Sequence, residues 1–203
     1  MESSTFKRSI VTNFFWSFLG QSGSLIVGLI VNIILARLLT PFEFGQIGII
    51  MFFIIISKVL TESGLSGALV RKSNVSEIDY STVFVFNLAI SISLVLILML
   101  FSGLIADFYN DQELKYILIV SSSVLLINAF QITQNTKLVK DLKFKKKATY
   151  EFIAIFFSAV LGITLAMFDA GVWSIVAMQI TTSIIYTLLL WLYVEPLKVV
   201  VFN

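Results

Sequence analysis

Six apolar runs, each close to the length of a membrane crossing, constrain this chain more than any other feature. They cover approximately 11–35, 44–60, 82–106, 116–135, 149–168 and 172–193. An α-helix rises about 1.5 Å per residue, so roughly 20 apolar residues cross a hydrocarbon core about 30 Å thick. Backbone inside lipid must satisfy its own hydrogen bonds, which selects helices for such runs. The predicted fold class is therefore an all-α membrane protein with six transmembrane helices. The second run is near the lower limit for a crossing, and the break before it has a physical cause. Pro41 has no amide hydrogen and pushes Thr40 out of the α region, so the first helix ends there. Thr40 can cap the next helix, with Pro41 in its first turn and Glu43 near its positive end. Asp169-Ala170-Gly171 is the whole link between the last two runs, with Gly171 suited to a helix C-cap. Residues 90–100 are nearly pure Ile, Leu, Val, Met and Ser, the composition of a helix with much lipid contact.

Charge sets the expected orientation. Only 13% of residues are charged and 58% are hydrophobic, with a mean hydropathy of +0.98, against about 25% charge in soluble domains. With a cytoplasmic N-terminus, Lys7, Arg8, Arg71, Lys72, Lys137, Lys140, Lys143, Lys145, Lys146, Lys147 and Lys198 all fall on the cytoplasmic side. Arg37 and Lys115 fall opposite, with Glu43, Asp107, Asp111, Glu113 and Asp169. The positive-inside rule thus predicts that both termini are cytoplasmic. Lys7 and Arg8 before an apolar run resemble a signal peptide, but the run is too long and lacks a small-residue cleavage site, so it reads as a mature helix. The basic run 137–147 serves topology and contact with anionic membrane lipids, or captures an anionic substrate. Its basic residues sit in loops beside a membrane, which speaks against a nucleic-acid partner.

The chain contains no histidine and no cysteine. That removes the usual general base near neutral pH, the commonest metal ligand and thiolate chemistry. No phosphate-binding Walker loop, metal-ligand cluster or nucleophile with a matching base can be found. The expectation is a non-enzyme with no cofactor and no metal.

Polar residues inside the spans carry the remaining information. Asn13, Ser17, Gln21, Ser24, Gly28 and Asn32 share one face of the first helix. Asn128, Gln131 and Asn135 share a face of the fourth, with Gln134 beside them. Asn87 and Ser91 lie in the third span, and Gln179, Thr182, Ser183 and Tyr186 in the sixth. Such faces either bond helix to helix or line a water-filled path for a polar solute. The path reading selects Gln21, Asn32, Lys58, Asn87, Asn128, Gln131 and Gln179. A charge at the centre of a span costs about 2.5–3.5 kcal/mol, so Lys58 and Glu62 matter. They are either interfacial, with Lys58 snorkelling, or at a cavity mouth where Lys58 meets a phosphate. Glu151 carries the same ambiguity. Arg37 and Arg71 are further possible anion contacts, Arg37 alternatively an interfacial anchor.

Five pieces of sequence then resemble one family, in order. Ile34-Leu35-Ala36-Arg37-Leu38-Leu39-Thr40-Pro41-Phe42-Glu43-Phe44-Gly45 resembles the first helical hairpin of polysaccharide-export flippases, the Wzx-type branch of the multidrug/oligosaccharidyl-lipid/polysaccharide superfamily. Glu62-Ser63-Gly64-Leu65-Ser66-Gly67-Ala68-Leu69-Val70-Arg71 resembles the loop after its second helix. Ile105-Ala106-Asp107-Phe108-Tyr109 with Glu113-Leu114, Leu142-Lys143-Phe144, and Gly171-Val172-Trp173-Ser174-Ile175-Val176 follow. The resemblance implies one six-helix lobe of a two-lobed transporter in the bacterial cytoplasmic membrane. Either the chain is a fragment of such a transporter, or the second lobe comes from another copy or a partner. It also implies flipping of a polyprenyl diphosphate-linked oligosaccharide or polysaccharide precursor for surface polysaccharide, in company with polymerase machinery. The alternatives are a cation-coupled drug exporter of the same superfamily and a non-transporting membrane scaffold.

Overall fold

The computed structural model describes residues 22–62 and 64–194, without the side chain of Glu62. Among the described residues seven helices follow one another: α1 (Ser22–Leu38), α2 (Pro41–Glu62), α3 (Leu65–Arg71), α4 (Glu77–Phe108), α5 (Gln112–Lys140), α6 (Phe144–Met167) and α7 (Val172–Tyr193). Five of them, α2, α4, α5, α6 and α7, are long and apolar enough to cross a membrane. The described part of α1 is a shorter apolar helix, and residues 11–21 of the expected first span lie outside the described residues. The chain is a multi-pass helical membrane protein.

Local chemistry explains the boundaries. At the start of α2, Glu43 N–H donates to Thr40 Oγ1 at 3.3 Å, while Thr40 N–H donates to Glu43 Oε2 at 2.6 Å. This reciprocal capping box fixes the hairpin expected from Thr40-Pro41. Ser76 and Asp79 form the same device before α4. Asp111 Oδ1 caps α5 by accepting from Glu113 N–H at 3.0 Å. Three helices end in Schellman turns with a non-glycine residue at positive φ: Asn110, Leu142 and Asp169. After α6 the left-handed position thus belongs to Asp169, at φ 57°, and not to Gly171. Gly171, at φ 55°, instead precedes α7, and a Cβ there would collide with the Glu43 carboxylate. The α6–α7 turn is locked against the α1–α2 hairpin in that way.

Packing follows from the antiparallel order. One apolar core joins Ile50 and Ile54 of α2, Val95 and Leu98 of α4, Leu114, Ile117, Leu118 and Leu125 of α5, and Val172 and Val176 of α7. A second joins Val31 and Leu35 of α1 to Ala159 and Ala166 of α6 and Ile175 of α7. Outside, Leu96, Leu100 and Leu104 of α4 are exposed, as expected of a lipid-facing stripe.

The two ends of the bundle differ in charge. At one end Lys137 pairs with Glu77 at 3.4 Å and lies over the Tyr80 ring, and Lys72 pairs with Asp79 at 2.8 Å. Lys140 Nζ donates to the carbonyls of Leu69 and Lys72, capping α3. Arg71 and the α5–α6 lysines share that end. At the other, Gln46 donates to Asp111 at 2.6 Å and Trp173 Nε1 to Glu113 at 2.9 Å.

Candidate functional site

A cavity of about 760 Å³ opens at the basic end, between α2, α5, α6 and α7, with Ser24 of α1 on its wall. The sequence produces it through the amide face of α5. Asn128, Gln131 and Asn135 lie three to four residues apart and all line it. Opposite them stand Thr182, Ser183 and Tyr186 of α7 and Lys147 and Glu151 of α6. Lys58, on an exposed position of α2, lines the cavity with buried Thr61 one turn on.

The polar groups do two jobs. Gln131 Nε2 donates to Ser183 O at 3.0 Å and Thr187 Oγ1 at 2.9 Å, tying α5 to α7. Tyr186 Oη donates to Asn135 Oδ1 at 3.1 Å. Thr182 Oγ1 donates to Ser158 Oγ at 2.6 Å, tying α7 to α6. Of these, Gln131, Asn135, Thr182, Ser183 and Tyr186 also line the cavity, so helix bonding and a hydrophilic wall coexist. Lys147 and Glu151 form an i,i+4 ion pair at 2.7 Å, with both side chains partly exposed. Such a wall can donate to and accept from sugar hydroxyls, and its cations suit phosphate or carboxylate.

The other residues selected from sequence lie elsewhere. Gln21 is outside the described residues. Asn32 is exposed on α1. Gln179 Nε2 reaches Met51 Sδ at 3.5 Å, between α7 and α2. Arg37 is exposed in the last turn of α1, at the end opposite Lys58, and Arg71 is exposed on α3 at the same end as Lys58. Asn87 is fully buried on α4, and neither amide atom has a partner among the described residues. A buried amide without partners costs about 1–3 kcal/mol. Asn87→Leu is therefore expected to raise the thermal unfolding midpoint in detergent and leave cavity function intact. A lowered midpoint would show that the amide is satisfied. Asn135 and Tyr186, which the sequence places on polar helix faces without singling them out for the path, also line the cavity, and so does Lys147, which it places only in the basic run. The Lys147–Glu151 spacing, identical to that of Lys58 and Glu62, was the available signal.

A family profile described as "polysaccharide biosynthesis protein" matches residues 34–202. The chain belongs to this family. Its relatives include the succinoglycan biosynthesis transport protein ExoT of Rhizobium meliloti, 26% identical over 88% of this chain and 36% of the relative. The lipopolysaccharide biosynthesis protein WzxC of Escherichia coli is 22% identical over 78% of the chain and 31% of its own length. An uncharacterized membrane protein in the cps region of Klebsiella pneumoniae is 25% identical over 64% of the chain and 27% of its length. The chain thus spans about a third of the length of the relatives it matches. No solved structure matches it. The Wzx-type resemblance read from the five pieces agrees with the family and with these relatives.

Proposed function

We propose that the chain forms one lobe of a transporter that moves a lipid-linked oligosaccharide or polysaccharide precursor across the bacterial cytoplasmic membrane. In this reading six spans cross the bilayer and both termini are cytoplasmic. A second lobe completes the central path, and rocking of the lobes gives alternating access. The observation that carries the proposal is the polar cavity at the basic end, with Lys58 on its wall and the α5 amides facing inward. By the positive-inside rule that end is cytoplasmic, the side where a precursor is made ready for export. Sugars and phosphates travel through the cavity while the lipid tail stays in the bilayer. The chain itself performs no catalysis and uses no cofactor or metal in this account.

One observation favours a second reading. Glu151 lies two turns inside α6, because the helix begins at Phe144, and it faces the cavity. A carboxylate in such a place is what a cation-coupled drug exporter of the same superfamily requires. Disrupting the gene separates the two. The proposal predicts loss of surface polysaccharide with lipid-linked precursor building up in the membrane. Intact polysaccharide with raised drug sensitivity would select the exporter, and no change in either would leave a scaffold.

A further inference from the structure

The walls of the polar cavity use several of their hydrogen-bond donors to hold the helices together. Gln131 Nε2 is engaged twice, by Ser183 O and Thr187 Oγ1, so the amide has its carbonyl oxygen left for a solute. Thr182 Oγ1 has two acceptors for its one hydrogen, Ser158 Oγ at 2.6 Å and Met178 O at 2.8 Å, and Tyr186 gives its hydrogen to Asn135. A hydroxyl has one hydrogen and two lone pairs, so these two groups offer a solute acceptors only. Glu151 adds a carboxylate to the same cavity, and its Oε1 holds Lys147 Nζ at 2.7 Å. Helix stability does not account for this pair. Lys before Glu is the weaker i,i+4 order, and Lys147 lies near the positive end of α6, where a cation opposes the helix dipole. What the pair does is place a neutralised cation and a carboxylate side by side on the α6 wall.

We infer that Glu151 makes the cavity selective for uncharged, hydroxyl-rich sugars over sugars that carry a carboxylate. The inference rests on the transport reading above and names the sugar class which that reading leaves open. Two neighbouring sugar hydroxyls match the pair, one accepting from Lys147 and the other donating to Glu151. A uronate does not match it. Its carboxylate reaches Lys147 only by displacing Glu151, which leaves one of the two carboxylates without a partner. It also brings negative charge beside Glu151 and beside the acceptor oxygens of Gln131 and Thr182. Discrimination by an unpaired charge works against the wrong substrate without any added contact to the right one. In the transport reading the phosphates meet Lys58 on the α2 wall, so the selection acts on the sugar alone.

Equilibrium binding to the purified full chain in detergent tests this with two probes that differ only in the sugar. One is dodecyl diphosphate-linked cellobiose, the other its glucuronosyl-glucose counterpart. The neutral probe is expected to bind about tenfold more tightly. Glu151→Gln, which removes the carboxylate and frees Lys147 to pair with a uronate, is expected to abolish or reverse that ratio. Glu151→Asp keeps the charge and should retain the preference. Lys147→Gln leaves Glu151 without its cation and should widen the preference, so a second variant moves the ratio in the opposite direction. A group that only supported the fold would weaken both probes together and leave the ratio where it was. Equal binding of the two probes by the wild type, or a ratio unmoved by both Glu151→Gln and Lys147→Gln, would overturn the sugar selection and keep the transport reading. Failure of the wild type to bind either probe would count against the transport reading, and the selection would fall with it.

Discussion

Replacing Lys58 by alanine is expected to cut surface-polysaccharide export roughly tenfold or more while the protein stays folded. A charge-assisted hydrogen bond to a phosphate contributes about 1.5–3 kcal/mol, and each 1.4 kcal/mol is a factor of ten in affinity. Lys58 is exposed on the wall of the cavity, so its loss removes no core packing. Lys58→Arg retains the cation and should keep most of the activity. Arg37→Ala supplies the contrast. Arg37 lies in the last turn of α1, beside the start of α2 at Pro41, and Lys58 follows Pro41 by nearly five turns of α2, a rise of about 25 Å. Export should then survive the Arg37 change with at most a twofold loss. The readout is cell-surface polysaccharide together with the pool of lipid-linked precursor. Equal losses from both variants would point to general disruption rather than to the cavity.

The second large effect concerns stability. Gly162 of α6 faces α7 at such close range that a Cβ would lie 2.9 Å from Met178 Cβ and 3.2 Å from Met178 Cγ. Met178 Cβ is anchored to the backbone, so it cannot swing away, and the two helices would have to separate. Small residues at such crossings let membrane helices approach closely, and that packing drives their association. Overpacking a well-filled contact costs about 1–3 kcal/mol, more than the roughly 1 kcal/mol that alanine gains over glycine in helix propensity. Gly162→Ala is therefore expected to lower the thermal midpoint in detergent, and Gly162→Leu to lower it further. Gly103 of α4 provides the matched control, because nothing lies within 4 Å of a Cβ placed there. Gly103→Ala should leave the midpoint unchanged or raise it. The α6–α7 contact also holds Thr182, which lines the cavity, through its hydrogen bond to Ser158, so Gly162 variants should lose export in proportion to lost folded protein.

Hydropathy located the long helices because each carries a nearly unbroken apolar run, and residues 172–193 match α7 end to end. It missed polar ends. Helix α4 begins at Glu77 rather than 82 because the Ser76–Asp79 capping box starts it before the apolar run. Helix α5 continues to Lys140 because Lys137 and Lys140 are good helix formers placed at the negative end of the dipole. The seven-residue α3 was too short for a window of membrane length, and only the Leu65 and Leu69 spacing hinted at it. For the site, the α5 amide face was legible because 3.6-residue periodicity puts Asn128, Gln131 and Asn135 in line. Periodicity does not say which neighbour a face meets. Gln134, one position away, is fully buried with no partner for its amide among the described residues, while Asn135 borders the cavity. Lys147, whose basic run points to a loop, lies within α6 and lines the cavity beside Glu151.

In the proposed transporter the amide face of α5 lines an aqueous path entered from the cytoplasm. The chain contains no cysteine, so a single substitution reports its own surroundings. In Asn128→Cys, a membrane-impermeant maleimide is expected to label the protein in inside-out vesicles, and lipid-linked precursor is expected to slow the reaction. Absence of labelling from that side, or labelling only from the outer face of intact cells, would contradict the account.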